Sequence, residues 1–246
     1  MKKAGWKKIL ASGIAAILTI MIATGLMRPK AAETVLAPVR LPERQLILDA
    51  GHGGEDGGAV SLTGVSESNI NLAVVLRLDQ LLGFYGIAPI LLRDSDVSIY
   101  DPGCETLRQK KVSDLHNRVA AIEGTENAVV ISIHQNTFTN SAYHGAQVFF
   151  RAGEESKALA ELVQSTLQEG VDPNNKRTPT KIPDSVYLMK HITCPAILVE
   201  CGFLSNPAEE EKLRSGDYQT QLALCVASAW LRSGEISTGN GTGPVI

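Results

Sequence analysis

The chain has 246 residues, 44 % of them hydrophobic and 20 % charged, with a formal net charge of −3. The charge is uneven: the first 32 residues hold six bases and no acid, and the remainder carries 17 bases against 26 acids, a net −9. So acidic a body lacks the basic footprint that nucleic-acid binding requires, and the composition predicts one globular domain once the ends are set aside.

Lys2, Lys3, Lys7 and Lys8 precede an apolar run from Ile9 to Met27. As a helix that run spans roughly 28 Å, enough for a bilayer core. Residues 1–32 are therefore expected to be a signal peptide or membrane anchor. The bases stay inside, so the body is expected to be exported, with membrane contact through the N-terminal segment if it is uncleaved. Residues 33–44, with Pro38 and Pro42, read as a linker. Residues 234–246 carry Gly and Thr without an apolar pattern and read as a flexible tail.

Between residues 45 and 233, strands and helices alternate. Gln45–Ala50, Ile87–Leu92, Ala128–Ile133, Ala146–Phe150 and Ala196–Glu200 are short apolar runs. Ile70, Ala73, Val74, Leu78, Leu81 and Leu82 fall on one helical face that Gly83 and Gly86 stop. Leu107–Glu123, Ser156–Glu169 and Tyr218–Arg232 read as further helices. Near-continuous apolar strands between helices predict a mostly parallel sheet covered on both faces.

The four cysteines, Cys104, Cys194, Cys201 and Cys225, show no metal-ligand spacing and are expected mostly as buried thiols. Cys194 and Cys201 flank one predicted strand, about 20 Å of extended chain, too far for a disulfide.

Three predicted strands end in residues that suit a metal site. The first runs into Gly51-His52-Gly53-Gly54, a loop whose glycines permit close backbone approach. The third reaches His134, and the last reaches Glu200. Glu67 stands at the start of the helix after the glycine loop. In a parallel sheet these positions share one edge, where open α/β folds keep their ligands. Two neutral imidazoles and one carboxylate are a set seen at catalytic zinc, and a second glutamate beside them can take a proton from water and return it to a leaving amine.

Asp49-Ala50-Gly51-His52-Gly53-Gly54-Glu55-Asp56-Gly57-Gly58-Ala59, then Glu67, then Ser132-Ile133-His134-Gln135-Asn136, then Leu198 through Asn206, closely resemble the zinc-dependent N-acetylmuramoyl-L-alanine amidases. The resemblance covers about Gln45 to Arg232. It implies Zn²⁺ as cofactor, His52, Glu67 and His134 as its ligands, Glu200 as the catalytic glutamate, and peptidoglycan as substrate. The implied fold is a three-layer α/β sandwich with a mostly parallel, roughly six-stranded sheet. Ala50, the strand Gly145–Phe150 and Val186-Tyr187-Leu188-Met189-Lys190 resemble the germination-specific, spore-cortex branch, in which peptide stems are removed before muramic lactam forms. Glu67-Ser68-Asn69 stands where many relatives carry Glu-Lys-Asp, and Cys201 where others have Thr or Val; the thiol is expected to be a passive filler.

Arg93 and Arg118 are candidates for contacting stem-peptide carboxylates. His116, His144 and His191 match no motif and are expected as surface or loop residues. Two rival readings remain at this level: a zinc peptidase acting within the stem peptide, and a non-catalytic wall-binding module. No segment of the body obviously binds glycan strands, which leaves room for an activating protein partner.

Overall fold

The computed structural model describes residues 44–237. The expected signal or anchor, the linker up to residue 43 and the tail beyond residue 237 lie outside the described residues. Among the described residues, six strands and six helices follow in the order β1 (Gln45–Ala50), α1 (Glu67–Gly83), β2 (Ile90–Leu91), α2 (Leu107–Glu123), β3 (Ala128–Asn136), β4 (Gln147–Phe150), α3 (Glu154–Gly170), β5 (Thr180–Lys181), α4 (Tyr187–His191), β6 (Ala196–Phe203), α5 (Pro207–Arg214) and α6 (Gly216–Ser237). The helix that closes the domain thus continues four residues past the expected boundary at 233.

The strands form one sheet in the order β2-β1-β3-β6-β4-β5. Every pair is parallel except β4 with β6. From β1 the chain crosses to β2 on one side and then returns to β3 on the other. That reversal opens a crevice at the carboxyl ends of β1 and β3, the place where such sheets bind ligands.

Side chains alternate between the two faces. One face presents Leu46, Leu48, Val129, Ile131, Ile133, Ile197 and Val199 to a core completed by α1, α3 and α6. The other presents Ile47, Val130, Ala196 and Leu198 to a smaller core with Ile122 of α2 and Leu188 and Met189 of α4. The result is the expected three layers. Burial of each such aliphatic side chain contributes about 1.5–3 kcal/mol against chain entropy.

The second face changes character toward the carboxyl edge. Asp49 and Ser132, paired across β1 and β3, are fully buried there. Arg118 reaches them from α2, its side chain only 2 % exposed. Its guanidinium donates to Asp49, to Asp114 Oδ2 at 2.7 Å, to the Ala50 carbonyl at 3.1 Å and to the His52 carbonyl at 2.8 Å. Ser132 Oγ donates to the other Asp49 oxygen at 2.6 Å. A buried charge is tolerable only when paired and hydrogen-bonded to this degree.

Burial pushes the Asp49 carboxyl up, but the Arg118 charge and the hydrogen bonds outweigh it and hold it below the usual carboxylate range. The carboxylate therefore stabilises the fold fully above its unfolded value near 4, and that share is lost as pH falls through the lowered folded value. Arg118→Met should cost about 3–5 kcal/mol by stranding two buried carboxylates. Urea unfolding at pH 7 measures it, and a second Asp49→Asn change should recover part of the loss; a cost below about 1 kcal/mol would contradict the structural role.

Candidate metal centre

β1 ends at Ala50, and the Gly51 N–H still bonds to the Ile133 carbonyl of β3 at 3.1 Å. The next residue turns out of the sheet with φ = 62°. A histidine in that left-handed region carries a cost of order 1–3 kcal/mol and persists only where its surroundings hold it. Here Arg118 holds the His52 carbonyl from one side. From the other, Gly53 and Asp56 exchange backbone hydrogen bonds of 2.8 and 3.1 Å.

The same turn brings Asp56 Oδ2 to 3.0 Å from His52 Nδ1. Burial raises the Asp56 carboxyl, yet the hydrogen bonds from His52 and Lys111 outweigh it and hold it well below its ordinary value. An ionised Asp56 accepts a hydrogen bond from Nδ1–H and so keeps the proton on that nitrogen, which leaves the Nε2 lone pair free to bind a metal.

Glu67 opens α1 and is 4 % exposed. Its Oε2 accepts from the Ala59 N–H at 2.9 Å, and Oε1 accepts from the Gln135 N–H at 3.1 Å and from Asn71 Nδ2 at 3.2 Å. His134 Nδ1 lies 3.0 Å from Oε1, and His52 Nε2 lies 3.5 Å from Oε2. Burial opposes the charge on Glu67, but the His134 hydrogen bond and the charges of both imidazoles bring its carboxyl down to about 2. Conversely, although burial disfavours the imidazolium of His134, the Glu67 carboxylate raises its affinity for a proton. The group attracts positive charge, and a metal cation competes for the place a proton would take.

One donor atom from each of His52, Glu67 and His134 can be chosen so that all three lie within 4.8 Å of one another. Tetrahedral zinc with nitrogen and oxygen ligands needs donors about 3.3 Å apart, so small side-chain movements close this set around an ion. The two imidazoles meet edge to face, their ring centres 5.1 Å apart. Glycine makes the approach possible. A Cβ on Gly51 would stand 2.2 Å from ring atoms of His134, and one on Gly58 would stand 2.6 Å from Glu67 Oε2.

Glu200 is the residue of β6 paired with His134 in register, so its side chain rises from the same face one strand further on. Its Oε2 is buried and has no hydrogen-bond partner among the described residues. Burial, reinforced by the Glu67 charge and only partly offset by His134 and His52, raises its carboxyl to about 7. An unsatisfied carboxylate oxygen beside three converging donors is what a water or cation between them would complete. The donor set fits a zinc-type site with three protein ligands and an open position.

Four sequence-predicted residues therefore meet, and two others do not reach the site. Arg93 and Arg118, which the sequence offers as candidates for substrate carboxylates or for ion pairs on the surface, are 3 % and 2 % exposed. Arg93 donates to the carbonyls of Ala50, Gly51, Ser68 and Ser95, clamping the end of β1 to the start of α1. Both arginines satisfy buried backbone and carboxylate groups beneath the site, so neither is available to substrate. His116, His144 and His191 are exposed and outside the cluster. Cys201 is buried, its thiol pushed up by burial to about 12, which suits the expected inert filler. None of the four cysteines is in a disulfide.

Sequence reasoning missed the supporting residues. Asn71 donates to Glu67 and to the Gly51 carbonyl, and its Oδ1 accepts from Gln135 Nε2 at 3.1 Å. The signal for Asn71 was present, since a polar residue one helical turn after Glu67 interrupts the apolar face of α1.

Comparison with known proteins bears on the same span. A family model described as N-acetylmuramoyl-L-alanine amidase matches residues 46–231. The germination-specific N-acetylmuramoyl-L-alanine amidase of Bacillus subtilis is 35 % identical over 188 residues, 76 % of this chain and 78 % of that protein. The CwlD amidase of Clostridioides difficile, solved in complex with the GerS lipoprotein, superposes with a TM-score of 0.75 at 37 % identity, covering 78 % of this chain and 99 % of that one. An N-acetylmuramoyl-L-alanine amidase from Clostridium difficile 630 gives a TM-score of 0.68 at 28 % identity, over 81 % of this chain and all of that one.

The packing of His134 on Gly51 is open to direct test. Gly51→Ala should displace the imidazole and weaken divalent-cation affinity by about ten- to a hundredfold while far-UV circular dichroism stays unchanged. Competition with a chromogenic chelator, using Zn²⁺, measures it. Unaltered affinity would mean that His134 is not a ligand.

Proposed function

We propose that this chain, which belongs to the N-acetylmuramoyl-L-alanine amidase family, is a zinc hydrolase that cleaves the amide between N-acetylmuramic acid and L-alanine in peptidoglycan. The observation that carries this reading is the convergence of His52, Glu67 and His134 with Glu200 on the adjacent rung of the sheet. His52, Glu67 and His134 would hold the ion. Zinc bound there supplies a Lewis acid that polarises a carbonyl and makes water more acidic.

The remaining chemistry belongs to side chains of this chain. Glu200 takes the proton of the attacking water on its carboxylate and returns it to the alanine nitrogen as the amide breaks. Burial raises the Glu200 carboxyl from its ordinary value, and its unsatisfied Oε2 is open to a proton from water. Asp56 fixes the tautomer and orientation of His52. Asn71 and the Gln135 and Ala59 amides fix Glu67, so its carboxylate faces the ion at little reorganisation cost.

The cellular setting is part of the same proposal. The basic-flanked apolar run at residues 1–32 supports export across the cytoplasmic membrane, with residues 45–233 as the catalytic domain; among the described residues no helix is long and apolar enough to cross a membrane. Likeness to a germination-specific amidase supports a role in spore-cortex maturation, before muramic lactam formation. The lipoprotein bound to the related Clostridioides difficile amidase supports an activating protein partner.

Protein lacking residues 1–32 should release intact stem peptides from cortex peptidoglycan and leave free lactyl carboxylates, both read by mass spectrometry, and chelator should abolish the reaction. New carboxylates within the peptide would instead mark a peptidase. Glu200→Gln should keep stoichiometric zinc and lower turnover by about a hundredfold or more; retained turnover would remove Glu200 from the reaction.

A further inference from the structure

The row of side chains on the site's face does not end at Glu200. The next rung of the sheet is Gln147 of β4, paired with Glu200 in register. Beyond it stands Arg177, in the segment leading to β5. His134, Glu200 and Gln147 thus form a line across three neighbouring strands, about 10 Å from first to last.

Arg177 is held in place by three kinds of contact. Its Nη1 donates to Gln147 Oε1 at 2.8 Å, and its Nε donates to the His144 carbonyl at 2.8 Å. The guanidinium carbon lies 4.7 Å from the centre of the Phe203 ring and 5.9 Å from that of Tyr143. Phe203 is buried and Tyr143 is on the surface, so the planar group has one face against aromatic rings. This fixes the fork and preserves its charge.

What Arg177 lacks is an anion. Among the described residues no carboxylate lies within ion-pair distance of it, whereas Arg44 and Arg214 each have one and Arg118 has two. The residue is half-buried, and it borders a cavity of about 290 Å³ with Asn140, Ala142, Tyr143 and His144. A preorganised, partly desolvated guanidinium with unused donors facing an open cavity is a receptor for a planar oxyanion.

We infer that Arg177 is a specificity-determining residue, binding the free α-carboxylate of the second stem residue on the leaving-peptide side of the scissile amide. The inference rests on the amidase reading above. Glu200 returns its proton to the alanine nitrogen, so the departing peptide extends on the Glu200 side of the row, away from His52. One residue of extended chain covers about 3.3–3.6 Å. The alanine and the γ-linked glutamate after it therefore carry the α-carboxylate past Glu200 toward Gln147 and the guanidinium hydrogen-bonded to it. Arg177 touches substrate without taking part in bond breaking.

Two muropeptides that differ only at that group test the assignment, one with the γ-linked glutamate's α-carboxyl free and one with it as a carboxamide. Wild-type protein should favour the free carboxylate by about ten- to a hundredfold in kcat/KM, the range for a hydrogen-bonded charge, with the difference mainly in KM. Arg177→Gln should shrink that preference to within about threefold, and Arg177→Lys should leave an intermediate value. A structural role alone would lower both substrates together and leave the ratio intact, which would overturn the assignment. Equal wild-type rates on the two substrates would overturn it without any variant. Failure of wild-type protein to free the lactyl carboxylate from either muropeptide would strike the amidase reading itself, a separate outcome.

Discussion

The structure depends on the in-register pairing of β1, β3 and β6. Asp49 lies opposite Ser132, and His134 lies opposite Glu200. A slip of one residue in either ladder would turn His134 or Glu200 into the apolar core on the opposite face. The register is set by the alternation of Leu46, Leu48, Val129, Ile131, Ile197 and Val199 toward α1, α3 and α6. The larger core thus positions the site by fixing which face its residues must occupy. Hydrophobic packing alone does this, well below the level at which chemistry takes place.

Above the core, charge takes over in layers. Arg118 and Arg93 sit under the loop and hold carbonyl oxygens of Ala50, Gly51 and His52 together with Asp49 and Asp114. Their role is to convert a strained turn into a rigid one, because His52 would leave φ = 62° if its carbonyl were released. Over this layer, in which the two arginines balance Asp49 and Asp114, lies one made of Asp56, Glu67 and Glu200. The carboxylates of the upper layer attract a cation, while backbone carbonyls and amides anchor the residues that carry them.

Much of this was legible in the sequence. β1 and α2 fall on their expected boundaries, since a β-run bounded by Gly51 and a helix with the Thr106–Gln109 capping box carry local signals that tertiary structure does not override. β3 and β6 run three residues beyond their expected ends, because His134–Asn136 and Cys201–Phe203 are strand by virtue of their partners rather than their polarity. β2 shrinks to two residues; Pro89 has no N–H to give the ladder. The short α4 and α5 were not foreseen. For α5 a cue existed in Asn206-Pro207, where the Asn206 side chain accepts from two backbone amides and Pro207 takes the first helical position. The cluster of His52, Glu67 and His134 was legible because each stands near the end or the start of an element. Arg93 and Arg118 could not be placed from sequence, because a lone arginine has no periodicity that says whether it faces water. Arg177 was missed for the same reason.

The two glutamates illustrate how environment divides one chemistry into two roles. Glu67 and Glu200 differ by no atom and stand around the same pair of histidines, yet one is held at about 2 and the other raised to about 7. Both are desolvated, so burial alone cannot separate them. The difference is hydrogen bonding: Glu67 accepts from Ala59, Gln135 and Asn71 as well as meeting His134, while Glu200 Oε2 accepts from no described residue. A carboxylate whose lone pairs are already fixed makes a permanent ligand and a poor base. One whose oxygen is unsatisfied is free to exchange a proton. The donors to Glu67 come from three places: the Ala59 amide in the loop before α1, the Gln135 amide of β3 and the Asn71 side chain one turn into α1. The contrast between the two carboxyls therefore follows from the donors that each one meets, and three separate elements have to converge to supply those of Glu67.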